Sequence, residues 1–348
     1  MTQASPQSEA PRRSVLRALC VFGLAVLHWQ ILMRVVSLVP SALASQGVLD
    51  GLPHWRIYQS RVLGPLLMGS IERWGSTTYL PAYLSGVLLA LLGTHALLWL
   101  FYARQRFSLG RSAALSLALI AASVPLVRSE WFYIWDALSL LFVTAFVVGV
   151  LSGFRHGVLA LIFAAALLNH ELSLFMPVWL IVERLCDAWR ERRFRLQHAL
   201  PLGAALLVIW AARSVIEWLR STFLVREVGP EIFRDYDARF ADPSLQWHLA
   251  PNLAELGRAL AALQPRGLLG PALLVFCGLL VHHARSSDLR LRALALTFLL
   301  LLAATLGVGL VFETRVYLVF LPYVLSVPLA AAQRDRFMAR TKSLAEWT

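Results

Sequence analysis

Three small groups of residues carry side chains suited to chemistry. The first is Asp50, followed by Arg56 and Arg61. A carboxylate in such a place acts as a general base when burial or a neighbour tunes it. Arginines beside it grip phosphate through forked hydrogen bonds. The second group is Asn169-His170-Glu171, where an imidazole able to donate to a phosphate or shuttle a proton stands beside a carboxylate. The third is Glu313-Thr314-Arg315, with a carboxylate and a guanidinium two positions apart. Asp136 adds a fourth candidate behind Trp131, Tyr133 and Trp135, whose rings stack on sugars or anchor in an interfacial belt. Each group also has a plainer reading. Asp50 is then a loop aspartate followed by anchoring arginines, and Asp136, Asn169 and Glu171 cap helix ends. Glu313 and Arg315 become an internal ion pair.

The elements that position these groups are hydrophobic. Of 348 residues, 58% are hydrophobic and 15% charged, where a soluble domain carries about 25% charged residues. Runs such as Gly86–Tyr102 and Ala293–Phe312 approach the ~20 apolar residues of a spanning helix. The alternating strands of a membrane β-barrel do not occur. The chain is therefore expected to be all-α, a single polytopic transmembrane bundle over residues 1–348.

About ten membrane segments can be drawn: Ser14–Val39, Tyr79–Phe101, Ser112–Val127, Ala137–Gly153, Gly157–Leu168, Leu172–Val182, Ala199–Leu219, Gly267–His282, Leu291–Val311 and Val316–Ala332. The net charge is +12, almost all of it arginine. In a soluble protein that excess would raise nucleic acid as a partner. Here the arginines fall in short loops on one side, including Arg104, Arg106, Arg111, Arg155, Arg184 to Arg195, Arg285, Arg290 and Arg292. The positive-inside rule assigns that side, with both termini, to the cytoplasm of a cell inner (plasma) membrane. Asp50, Glu72, Glu130, Asp136, Glu171 and Glu313 then all lie near the outer face, where carboxylates at membrane depth are costly and usually functional.

The arginines also decide the connection at Gly157–Val182. Arg155 and the cluster from Arg184 flank it, and both ends belong inside, so it reads as a hairpin with Asn169-His170-Glu171 at the tip. Each arm of ~12 residues spans ~18 Å, short of the ~30 Å hydrocarbon core, which submerges the tip. Two outer loops, approximately 41–78 and 220–266, are long enough for structure. They contain amphipathic stretches at Val62–Trp74 and near Leu253–Leu263. Ala42-Leu43-Ala44 resembles a cleavage site, but Ser14–Val39 is too long for a signal core and contains Arg34, so the first helix is expected to stay uncleaved.

Walker, His-Glu-x-x-His, Cys-x-x-Cys and Gly-x-Ser-x-Gly motifs do not occur. No metal-ligand spacing stands out, and neither a metal nor a cofactor is expected.

The layout resembles the C-type superfamily of membrane glycosyltransferases, which use polyprenyl-phosphate-linked sugars. The residues that carry the resemblance are Asp50 after the first helix, Val62–Trp74, the Asn169-His170-Glu171 tip and Glu313-Thr314-Arg315. The paired acidic motif of that superfamily's first loop is missing, since Asp50 stands alone. The resemblance implies a site at the outer leaflet among membrane lipid, with Asp50 and Glu171 catalytic. Arg56, Arg61, Asp136, His170, Glu313 and Arg315 would bind substrate, and the lipid-linked donor would be substrate rather than cofactor. The alternatives are a non-enzymatic transporter or flippase for a lipid-linked or anionic substrate, and a structural or assembly subunit.

Overall fold

Inside a bilayer the backbone must satisfy its own polar groups, and helices do this within one segment. The computed structural model describes residues 9–50, 61–128, 131–193, 195–222, 247–311 and 313–345. Among the described residues there are α-helices and 3-10 segments but no strands. In chain order the α-helices are α1 (Glu9–Val35), α2 (Leu38–Leu49), α3 (Leu63–Gly75), α4 (Tyr79–Arg104), α5 (Leu109–Val127), α6 (Ile134–Leu151) and α7 (His156–Leu167). Then follow α8 (Phe175–Glu191), α9 (Leu196–Thr222), α10 (Leu249–Ala261), α11 (Leu269–Ala284), α12 (Leu289–Val308) and α13 (Leu321–Ala345). Glu171–Leu174 and Thr314–Phe320 are 3-10 segments, the tighter winding used in short pieces.

Seven of the ten expected segments are long and apolar enough to cross a membrane, so the chain is a multi-pass helical bundle. They lie in α1, α4, α5, α6, α9 and α12, and in the run Thr314–Gln333 that leads into α13. The fifth and eighth segments, α7 and α11, are shorter apolar helices. The sixth, Leu172–Val182, begins as a 3-10 segment and runs into α8, which continues past it with Glu183, Arg184, Asp187 and Arg190.

Helix α6 is the axis. Its most apolar window is 72% buried inside the protein, against 17% for those of α1 and α9, which therefore lie at the rim. A helix that is hydrophobic all round belongs in the core. Here α4, α7, α13 and α3 surround it. The connection read as a hairpin is one, but its arms part: α7 lies on α6, while α8 packs on α12 and α9.

The first outer loop differs from expectation. The sequence predicts an outer loop over 41–78 with one amphipathic stretch, yet α2 occupies Leu38–Leu49 before α3 begins. Small residues explain why. Ser41, Ala42, Ala44 and Ser45 are buried and allow close approach, so α2 carries no long hydrophobic run. The cleavage-like Ala42-Leu43-Ala44 lies inside this helix.

Contacts separate two ends. At one, Gln333 reaches the Gln105 carbonyl at 3.3 Å and Arg104 lies over Phe154. Buried Glu183 there meets His156 and Arg184 at 3.6 Å and Arg290 at 4.0 Å. The arginine-rich loops share this end. Between the ends, His28, His95 and Ser123 link α1, α4 and α5. Ser123 donates to the Ile120 carbonyl, so its oxygen accepts from His28 Nε2 at 2.8 Å. His28 Nδ1 then accepts from His95 Nε2 at 3.2 Å.

Candidate functional site

The opposite end gathers most of the residues singled out from sequence. Its floor is the start of α6. Phe132, two positions before that helix, is held from both sides: its N–H donates to Ser41 Oγ at 2.9 Å, and its carbonyl accepts from the Tyr83 hydroxyl. Asp136 caps the helix from within its first turn, its Oδ2 accepting from the Tyr133 N–H at 2.9 Å. A carboxylate there also opposes the positive end of the helix dipole. The rings of Tyr133 and Trp135 stack with centroids 4.5 Å apart. Both are at most 1% exposed, so they form a buried platform and not an interfacial belt.

An arginine sits against each ring. Arg315 lies with its guanidinium 4.9 Å from the Tyr133 centroid, and Arg61 lies 5.7 Å from that of Trp135, within cation–π range. Arg315 belongs to the 3-10 segment Thr314–Phe320, which Thr314 ties to α5 through a 2.6 Å hydrogen bond to the Leu126 carbonyl. Its Nε stands 3.4 Å from Asp136 Oδ2 and its Nη2 3.2 Å from Glu313 Oε2. The expected Glu313–Arg315 turn is thus an ion pair extended to a third residue. Arg61 precedes α3, whose first N–H, from Leu63, donates to the Leu168 carbonyl at 2.9 Å. That bond fastens α3 to the hairpin tip and brings Arg61 Nε to 3.2 Å from Glu171 Oε2.

The tip is built by Asn169 and His170. Asn169 is 1% exposed and donates from Nδ2 to the Trp135 carbonyl at 2.8 Å and to Ser139 Oγ at 3.0 Å. His170 caps the 3-10 segment Glu171–Leu174, its Nδ1 accepting from the Leu172 N–H at 3.0 Å. The plainer reading gives the capping to Asn169 and Glu171; the imidazole does it instead. An Nδ1 that accepts carries no hydrogen, so the ring is neutral and Nε2 is the donor. Burial depresses the His170 pKa, Arg61 lowers it further, and Glu171 opposes them only in part. The 3.6 Å approach of Nδ1 to Glu171 is consequently not a pair of full charges.

Arg61, Asp136, His170, Glu171, Glu313 and Arg315 therefore converge. Asp50 does not join them. It is exposed at the end of α2 and accepts from Gln46 Nε2 at 3.1 Å. No hydrogen bond or ion pair joins it to the cluster among the described residues. Arg56 and Glu130 lie outside the described residues. Tyr133, Trp135, Thr314 and Ser139 complete the site. Their roles depend on pairings with distant segments, which leave no local sequence signature.

Among the described residues the cluster holds three carboxylates and two guanidiniums. A phosphate arriving here competes with Glu171 and Glu313 for arginine N–H groups. Glu171 is the most accessible of the three acids, its side chain 23% exposed against 20% for Glu313 and 12% for Asp136.

Metal-like spacing occurs elsewhere, at the arginine-rich end, where ligand atoms of Asp187, Glu191 and His198 lie within 4.8 Å of one another. The donor set does not suit an ion. His198 Nδ1 accepts from the Arg195 N–H at 3.1 Å, so Nε2, facing Asp187 at 3.6 Å, holds the ring hydrogen and offers no lone pair. No family model, curated protein or solved structure matches the chain.

Proposed function

We propose that this chain is a membrane glycosyltransferase that takes its sugar from a polyprenyl-phosphate-linked donor at the end opposite the arginine-rich loops. On this reading that end faces the outer leaflet of the inner membrane, and both termini are cytoplasmic. One observation carries the proposal: two buried arginines, one against each ring of a buried aromatic stack, meet the tip of a helical hairpin whose first arm has only 12 residues. Buried guanidiniums on aromatic faces suit phosphate recognition, and polar groups at a hairpin tip at membrane depth belong where they are buried in protein or line a wet cavity.

The mechanism follows from exchange of partners. The donor phosphate draws Arg61 away from Glu171. A carboxylate that loses a neighbouring cation becomes a stronger base. Glu171 takes the proton of the acceptor hydroxyl, and the hydroxyl oxygen bonds to the anomeric carbon. The bond from that carbon to the phosphate oxygen breaks, and its electron pair stays on the lipid phosphate. Arg61 and Arg315 stabilise that charge, with His170 donating from Nε2, the preorganised electrostatics that usually dominates such steps. Asp50, the base expected from sequence, shares no hydrogen bond or ion pair with these residues among the described residues, and this reading gives the base role to Glu171.

The test is binding and turnover in lipid nanodiscs with a polyprenyl-phosphate-linked sugar. Arg315→Gln and Arg61→Gln should each weaken donor binding about tenfold or more, since hydrogen bonds to charged groups contribute ~1.5–3 kcal/mol. Glu171→Gln should bind donor and fail to transfer. A Glu171→Gln variant that still moves the lipid across the bilayer would replace the enzyme with a carrier.

A further inference from the structure

A small cavity lies under the hairpin tip, between α6, α7, the start of α8 and the 3-10 segment that carries Arg315. Phe142, Met176 and Val319 form apolar walls, and Ser139, Asn169, His170 and Ser173 supply the polar side. Two of these polar side chains are buried with an atom that no group among the described residues satisfies. They are Asn169 Oδ1, on a residue 1% exposed, and Ser173 Oγ, on a residue 5% exposed.

The orientation of the Asn169 amide is fixed by chemistry. A backbone carbonyl only accepts, so the atom facing the Trp135 carbonyl must be the NH₂ group. That leaves Oδ1 as an acceptor on the other side. Buried polar atoms without partners are rare and call for an explanation. Two in one cavity with a third polar residue, His170, call for a shared one. An anion is the wrong ligand, because Oδ1 would repel it. A group that donates one hydrogen bond and accepts another satisfies both Oδ1 and the serine hydroxyl, and the space admits about one water.

We propose that this cavity is a hydroxyl-binding site, holding one water in the resting protein and accepting a ligand hydroxyl in its place. The hydroxyl donates to Asn169 Oδ1 and accepts from Ser173 Oγ. The water site stands on the cavity alone. Its use by a second, unreacting hydroxyl of the acceptor rests on the transferase reading, because His170 lines both the cavity and the arginine cluster.

The probe is water itself, then glycerol, with the full chain in nanodiscs carrying ¹⁵N-labelled asparagine. Magnetisation transfer from a long-lived water to the Asn169 side chain is expected. Ser173→Val, which fills the space with methyl groups, should abolish that transfer while the backbone spectrum persists. Absence of transfer in the parent protein, or its survival in Ser173→Val, overturns the site. Glycerol should replace the water signal with its own contact to Asn169. A water signal that persists at saturating glycerol overturns the exchange with ligand. Glycerol exchange together with no binding of the polyprenyl donor would leave the hydroxyl site standing and remove the transferase.

Discussion

Arg315 Nε lies 3.4 Å from Asp136 Oδ2, with the two side chains only 8% and 12% exposed. This pair joins the 3-10 segment before the last helix to the first turn of the central helix. Removing one member leaves a charge in a dry place, which costs about 3–5 kcal/mol where such pairs have been broken. Arg315→Leu strands both Asp136 and Glu313 and should destabilise the protein by about that much. Adding Asp136→Leu should recover part of the loss, because the stranded charge goes with it. Equilibrium unfolding of the single and double variants in bilayer mimetics measures both. Additive losses would show that the two residues are not coupled.

Asp50 gives the contrasting expectation. It is exposed at a helix end and bonded to Gln46, so Asp50→Asn should change stability by less than about 0.5 kcal/mol, as exposed substitutions do. Transfer from the lipid-linked donor should fall by less than twofold. A loss of turnover beyond tenfold would return Asp50 to the mechanism and displace Glu171.

The platform depends on two glycines. A Cβ at Gly64 would lie 2.6 Å from Ile134 Cγ2, and one at Gly86 would lie 2.8 Å from Ile134 Cδ1. Ile134 is thus clamped between α3 and α4, and it sits between Tyr133 and Trp135. Overpacking of this kind costs ~1–3 kcal/mol. Gly64→Ala should be destabilising by that amount and should also weaken donor binding, because the strain shifts the stacked rings. Gly86→Ala should act likewise, and in that background Ile134→Val, which removes the clashing Cδ1, should restore part of both; failure to do so would locate the strain elsewhere.

The hairpin at α7 and α8 is legible in the sequence because Arg155 and the cluster from Arg184 exclude an odd number of crossings. The amphipathic stretch Val62–Trp74 likewise gives α3 to within a residue. The site's residue types are also visible, since charge at membrane depth is conspicuous. Its pairings are not. Arg61 and Glu171 meet across 110 residues, and local periodicity contains nothing about that distance. The position of Asp50 is hidden for the same reason. It follows the first membrane segment, but α2, made inconspicuous by small residues, intervenes and ends with Asp50 on the surface.

The histidine link between α1, α4 and α5 makes a separate prediction. His95→Leu removes the donor to His28 Nδ1 in a region where neither ring is exposed. A buried acceptor left without a partner costs ~1–3 kcal/mol. The double variant His28→Leu/His95→Leu should be more stable than the sum of the singles implies. Proteolysis of α1 in detergent reports the same loosening.

His170 does two jobs with two nitrogens, and substitution can separate them. Nδ1 accepts from the Leu172 N–H and holds the tip. Nε2 carries the hydrogen assigned to the phosphate. Asparagine places an acceptor near the Nδ1 position and has nothing at Nε2. His170→Asn should therefore stay within about 0.5 kcal/mol of the parent, whereas His170→Ala should lose about 1 kcal/mol with the cap. Both should weaken donor binding. Acid adds a further readout. The folded pKa of His170 is lowered from 6.5 to about 3, first by burial and then by Arg61. Between those values the unfolded chain binds a proton that the folded protein does not, so the histidine's contribution to stability falls as pH drops below about 6.5. That part of the pH dependence should disappear in His170→Asn. A slope unchanged by the substitution would mean that His170 is already protonated in the folded protein, and the donor role assigned to a neutral ring would fall with it.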